Sequence, residues 1–172
     1  MRLPIYSLRT GILAQLIFLI VAAMLLIHVV EVKFSEKDLI QAKVHAGQLM
    51  IYALEENIGN LFFKKENLRE IGEDPRVQRA VLRLLDGSDF SQAVILDARG
   101  EKTLAISSSG RLEGQDHSLA REAFLTETWS TQFSGTLWGV VWLSPRHVLI
   151  SAPLYFENRP IGGVAIRASL TS

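Results

Sequence analysis

From Thr10 to Val30 the chain runs TGILAQLIFLIVAAMLLIHVV, 21 residues without a charged side chain. At the α-helical rise this stretch is roughly 31 Å long, about the thickness of a bilayer's hydrocarbon core. No other run in the chain resembles it, and the residues after Val30 mix polar and apolar positions as a water-soluble fold does. His28 stands near the outer end of the run, where an interfacial or helix-facing place is the plain expectation. A proline-free helical pattern then extends from Phe34 to Ile71. In heptads, Lys37, Val44, Ile51, Ile58 and Lys65 share one seam position, and Ile40, Gly47, Leu54, Leu61 and Leu68 share the other. Their alternate spacing by four and three makes a continuous stripe. Such a stripe suits the domain's own sheet or a second copy of the chain, and both can hold along its length.

Gly72-Glu73-Asp74-Pro75 stops this pattern and starts a short helix over 75–86, with Asp74 as N-cap and Pro75 in the first helical position. Val77, Ala80, Val81, Leu84 and Leu85 form its apolar face, and Asp86-Gly87-Ser88 ends it. From Ser91 the pattern becomes that of strands. QAVILD (92–97) and KTLAIS (102–107) flank a turn at Ala98-Arg99-Gly100 and predict a hairpin. A polar stretch leads to a helix at about Ser118–Thr126. Three more strands are expected at 136–143 (TLWGVVWL), 147–156 (HVLISAPLYF) and 161–170 (IGGVAIRASL). Pro153 predicts an edge or a bulge in the middle one. Gly162-Gly163 inside a strand reads as close backbone packing. The expected fold is α+β, a long N-terminal helix packed on a five-stranded antiparallel sheet over 91–170, with helices on one face.

This order resembles the extracytoplasmic PAS-like (single Cache, or PDC) sensor domains of bacterial sensor histidine kinases and chemoreceptors. AVILDARGEKTLAIS (93–107) is similar to the family's first hairpin, an apolar strand ending in an acidic residue before a glycine turn. LISAPLYFENRPIGGVAIRASL (149–170) is similar to its last hairpin, and SLAREAFLT (118–126) to its crossover helix. The resemblance covers nearly the whole chain; its specificity lies in order and spacing. It implies a signal-sensing module of a membrane receptor, which binds a small ligand and relays a helix displacement inward. It also calls for a second membrane span after the last strand, beyond Ser172.

Charge sets the orientation. Arg2 and Arg9 precede the span without any acid, which predicts a cytoplasmic N-terminus over 1–9, a span over 10–32 and an extracytoplasmic domain over 33–172 in a bacterial cell membrane. The apolar run is longer than a signal-peptide core and lacks a small-x-small site, which favours a retained anchor over a cleaved one. Eighteen basic residues balance eighteen acidic ones with no basic run, so nucleic acid is not an expected partner. The absence of cysteine excludes disulfides, thiolate metal sites and a cysteine nucleophile. A homodimer through the proximal helix is the expected assembly.

The resemblance places a ligand pocket between the sheet and the 107–135 segment. The residues in that part of the chain able to hold a ligand are Arg121, Trp129, Trp138, Trp142, Arg146, His147 and Tyr155. Trp138 and Trp142, four apart on a strand, would share a face. An arginine beside aromatic rings can clamp a carboxylate while the rings enclose an apolar body. Two tryptophans on a sheet face serve equally well as core, and Arg146 and His147 beside a hairpin tip suit solvent. His45, His117 and His147 are scattered, Asp116-His117 reads as a polar loop dipeptide, and no metal or other cofactor is expected. With no nucleophile elbow, phosphate loop or paired carboxylates, catalysis is not expected from this segment. An envelope interaction domain without a small ligand is the competing reading; a pilin-like subunit would need a glutamate within the apolar run, and 10–30 has none.

Overall fold

The computed structural model describes residues 8–65, 68–107, 115–135 and 146–170. The chain divides into two units, Met1–Leu39 and Ile40–Ser172, and helix α1 (Leu8–Lys65) contributes to both. In the first unit every large apolar side chain from Ile12 to Val30 is exposed, between 44% and 75%. A helix that is apolar all round belongs in a core or in a membrane. By length and composition this one is able to cross a bilayer. At its polar end His28 Nδ1 lies 3.4 Å from Glu31 Oε2, and Lys33 Nζ donates to Glu36 Oε2 at 2.8 Å.

The second unit is α+β. After α1 come α2 (Leu68–Gly72), α3 (Pro75–Asp86), β1 (Phe90–Asp97), β2 (Lys102–Ser107), α4 (Gln115–Thr126), β3 (Ser130–Ser134), β4 (His147–Phe156) and β5 (Arg159–Ser169). The five strands form one antiparallel sheet in the order β2-β1-β5-β4-β3. The helix expected over 34–71 is therefore recorded as two elements, α1 to Lys65 and α2 from Leu68. The third strand is Ser130–Ser134, and the strand expected at 136–143 lies outside the described residues.

Helices cover both faces of the sheet, which corrects the expected one-sided arrangement. On one face the seam residues Ile51, Leu54 and Ile58 of α1 join Leu68 and Ile71 of α2 and Val77, Val81 and Leu85 of α3. They pack on Ala93, Ile95, Leu104, Val148, Ile150, Val164 and Ile166. Each fully buried isoleucine or leucine contributes about 1.5–3 kcal/mol of transfer free energy. Ile40, Val44 and Leu61 pack against the same cluster, so the heptad stripe faces this domain's own sheet from Ile40 to Leu68. Gly47 allows the close crossing: a Cβ there would lie 2.2 Å from Ile150 Cδ1 and 3.2 Å from Ile166 Cδ1. On the other face α4 packs on Val94, Leu96 and Ala165 through Ala120. Gly163 lets it approach, since a Cβ there would sit 2.1 Å from the Ala120 carbonyl oxygen. Strands covered on both faces lose the alternation of a half-exposed sheet, which is why β1 reads as an unbroken apolar run.

Local signals account for the connections. The Asp74 carboxylate accepts from Arg76 N at 2.9 Å and caps α3, with Pro75 in its first position. Asp97 Oδ1 accepts from Arg99 N and Glu101 N at 2.9 and 2.8 Å, and Gly100 takes φ +78° to close the β1–β2 turn. Glu157 and Asn158, at φ +47° and +66°, form the two-residue turn between β4 and β5. Pro153 lies past Ser151, the last β4 residue paired with β3 among the described residues, and pairs with Gly163 of β5 on its other side.

A buried polar row under helix α4

Register places a transverse row of residues on the α4 side of the sheet. Ser107 pairs with Gln92, Gln92 with Arg167, Arg167 with Leu149, and Leu149 with Gln132. One pleat further on lie Ser169, His147 and Ser134, and one pleat back lie Val94, Ala165, Ser151 and Ser130. One end of this face is thus polar, while the other carries Leu96, Gly163 and Pro153.

The polar end is buried. Gln92, Ser151 and Arg167 are 2%, 1% and 5% exposed, and Asp116 in the first turn of α4 is fully buried. Arg167 Nη2 donates to Asp116 Oδ1 at 2.5 Å. A buried charge is tolerated only when paired, so this bond draws the start of α4 onto β5. The helix accordingly begins at Gln115 rather than at the expected Ser118, whose hydroxyl donates to the Gln115 carbonyl at 2.8 Å from inside the first turn. Asp116, read from sequence as a loop residue, is instead an anchor. Gln115 Nε2 extends the contact by donating to Gln132 Oε1 at 3.4 Å. Gln92 Nε2 and Ser151 Oγ have no hydrogen-bond partner among the described residues. A buried polar group left in that state costs about 1–3 kcal/mol, which a bound polar atom would recover.

Of the seven residues singled out from sequence, the five that are described lie at separate places on the domain. His147 is half-buried on the polar face, one pleat from Arg167. Arg146 next to it is 6% exposed, not solvated as its place beside a turn suggested; its side chain lies where a Cβ on Gly135 would come within 2.6 Å of its Cγ. Arg121 is exposed and lies over Gly100 at the opposite end of the sheet. Trp129 sits on the α1 side, its ring centroid 5.6 Å from that of Tyr52. Tyr155 is at the far end of β4, where its backbone N–H donates to Glu55 Oε1 at 2.8 Å. Burial, followed by the charge and a hydrogen bond of the Glu127 carboxylate, pushes its phenol above the ordinary tyrosine value. Trp138 and Trp142 lie outside the described residues. The segment expected to cover a pocket also includes 130–134, which is part of the sheet itself. Sequence reasoning passed over Gln92, Asp116, Ser151 and Arg167. One signal was available: a lone arginine inside the apolar strand GGVAIRASL needs a buried acid.

No family model and no curated protein matches the chain. Among solved structures it is similar to the extracellular domain of the assigned histidine kinase rpHK1S-Z16, at 18% identity and TM-score 0.46, over 78% of this chain and 54% of that one. It is similar to the sensory domain of the Campylobacter jejuni chemoreceptor Tlp3, at 12% identity and TM-score 0.40, over 79% of this chain and 64% of that one. The sensor domain of the zinc-responsive histidine kinase CzcS from Pseudomonas aeruginosa matches at 20% identity and TM-score 0.36, over 64% of this chain and 92% of that one. The chain thus spans between half and two-thirds of the length of the first two. Its own architecture is α+β, a long N-terminal helix and a five-stranded antiparallel sheet.

Proposed function

We propose that the chain is the signal-sensing part of a membrane-bound bacterial receptor, most consistent with a sensor histidine kinase. In this reading residues 1–9 are cytoplasmic, 10–32 cross the cell membrane, and 33–172 sense a small molecule outside. The observation that carries it is the polar row under α4. Buried hydrogen-bonding groups without partners, beside a buried ion pair, are poor for stability and well suited to recognition. A solute that satisfies Gln92 and Ser151 would favour one seating of α4, and a signal is the resulting shift between two packings. His147, at the border of this row, would contact the solute as well. Two copies would pair through the membrane-proximal part of α1, where Val32, Phe34 and Leu39 are exposed.

The test is the thermal midpoint of the full chain in lipid nanodiscs against a library of amino acids and organic acids. A site-specific solute at a hundred times its Kd adds about 2.7 kcal/mol to the folded state. The expected result is a raised midpoint with at least one compound, reduced in Gln92→Ala and Ser151→Ala. No shift across the library, or a shift the two variants leave intact, would remove the support for sensing at this face. A partner captured without any solute would instead favour the envelope interaction domain.

A further inference from the structure

We infer that a cavity between α1 and α3 is a second ligand site, for a small carboxylic acid with a hydrocarbon or aryl body. The cavity has a volume of about 210 Å³ and is walled by Leu54, Ile58 and Leu61 of α1 and by Val77, Val81 and Leu84 of α3. Leu54, Ile58 and the α3 valines belong to the main core, so this space is on the face of the sheet opposite the α4 row. Close-packed interiors leave few voids larger than one water molecule, and this one opens to solvent past the exposed Asn57, Arg76 and Ala80. Water gains little from a space with carbon walls, whereas an apolar cavity of roughly 150 Å³ accepts benzene. The volume here therefore suits a six-membered ring, or a chain of similar bulk, with a short extension.

The polar residues at this space decide the class of occupant. Asn57 spends its amide on its own helix, donating to the Ala53 carbonyl at 2.7 Å. Arg76 is exposed at the cavity, and its backbone N–H is held by Asp74 Oδ1 at 2.9 Å. No acidic side chain among the described residues pairs with its guanidinium, whereas Arg69 bonds Glu73 and Glu101 and Arg167 bonds Asp116. An uncompensated guanidinium beside an apolar cavity complements a carboxylate head on an apolar body.

The experiment is ¹⁹F NMR titration of the full chain in nanodiscs, free of competing detergent, with 4-fluorophenylacetate and its neutral counterpart 4-fluorophenethyl alcohol. The acid is expected to bind at least fivefold more tightly than the alcohol. Arg76→Gln should erase that preference, and Ala80→Phe, whose ring would occupy the cavity, should weaken both probes at least tenfold. Ala80→Leu repeats the test should the larger side chain prevent folding. Gln92→Ala and Ser151→Ala should leave this binding unchanged, which separates the site from the α4 row. Equal binding of acid and alcohol by the native chain, or native-like binding by the cavity-filled variant, overturns the proposal.

Discussion

Gly47 and Gly59 lie on the same helix, and substituting each by alanine should move stability in opposite directions. Alanine in a helix interior is favoured over glycine by about 0.8–1 kcal/mol. At Gly59 a Cβ would meet Phe156 Cδ2 at 3.7 Å, an ordinary van der Waals contact, so Gly59→Ala should gain about 0.5–1 kcal/mol. At Gly47 the same methyl would lie 2.2 Å from Ile150 Cδ1, and Ile150 is fully buried in a close-packed core, where turning this side-chain tip aside displaces its neighbours. Overpacking of this kind costs about 1–3 kcal/mol, which offsets the propensity gain and leaves a net loss of up to about 2 kcal/mol. Ile150→Val deletes the clashing methyl, so the pair Gly47→Ala/Ile150→Val should be more stable than the sum of its single changes by at least about 1 kcal/mol. Denaturant unfolding of the full chain in nanodiscs, read by circular dichroism, measures all four variants. If Gly47→Ala stabilises as much as Gly59→Ala, the close crossing of α1 over β4 and β5 is refuted.

Asp116→Ala should cost about 3–5 kcal/mol by leaving Arg167 charged and buried, and Asp116→Ala/Arg167→Met should recover most of it; a single-variant loss below about 1 kcal/mol in urea unfolding would contradict the pair's burial. Tyr155, with its phenol raised in the folded state, contributes stability that is complete below the unfolded value near 10 and is lost as pH rises through the higher folded value. Alkaline difference absorbance between the native chain and Tyr155→Phe should therefore show a late titration, and Glu127→Gln should bring it down; an unchanged midpoint in Glu127→Gln rules the carboxylate out as a cause.

The legible parts of the fold are those where one local pattern is enough. The uncharged run of 10–30 needs no partner to be read, and the Ile40–Leu68 stripe comes from a helix facing a single surface. β1, β4 and β5 were legible as apolar runs because helices cover both faces of the sheet. β3 was not: STQFS has one apolar residue in five, and its three central residues, Thr131, Gln132 and Phe133, are exposed. The site was hidden for a related reason. Asp116 is polar in a polar stretch, and its burial depends on an arginine 51 residues away. Aromatic and basic residues drew the sequence reading toward Trp129, Arg121 and Tyr155, while register gathered a glutamine, a serine and an ion pair instead. Register across strands is set by turns and core packing together, so a row of five residues from five strands is invisible to any local window.

The two faces of the sheet differ in what holds them, and that difference locates the element able to move. The α1 side is closed by large side chains with little or no exposure, among them Ile51, Leu54, Ile150 and Ile166. Among the described residues the α4 side is held by a smaller cluster, Ala120 with Val94, Leu96 and Ala165, by the Asp116–Arg167 ion pair and by the close approach of Ala120 to Gly163. Small side chains release little free energy when buried, so α4 is the cheaper helix to lift. Gly163→Ala tests this directly. Its methyl would sit 2.1 Å from the Ala120 carbonyl oxygen and 3.0 Å from the Ala120 carbonyl carbon, and backbone cannot step aside as a side-chain tip can. The helix must then rise from the sheet, which weakens the Asp116–Arg167 bond at its other end. Hydrogen exchange should show amide protection falling across Gln115–Thr126, by tenfold or more for a loss of about 1.4 kcal/mol, while Met50–Ile58 of α1 keeps its protection. Equal loss in both helices would mean that the domain opens as one body. α4 would then be no more movable than α1, and the polar row beneath it would lose its claim to act as a switch.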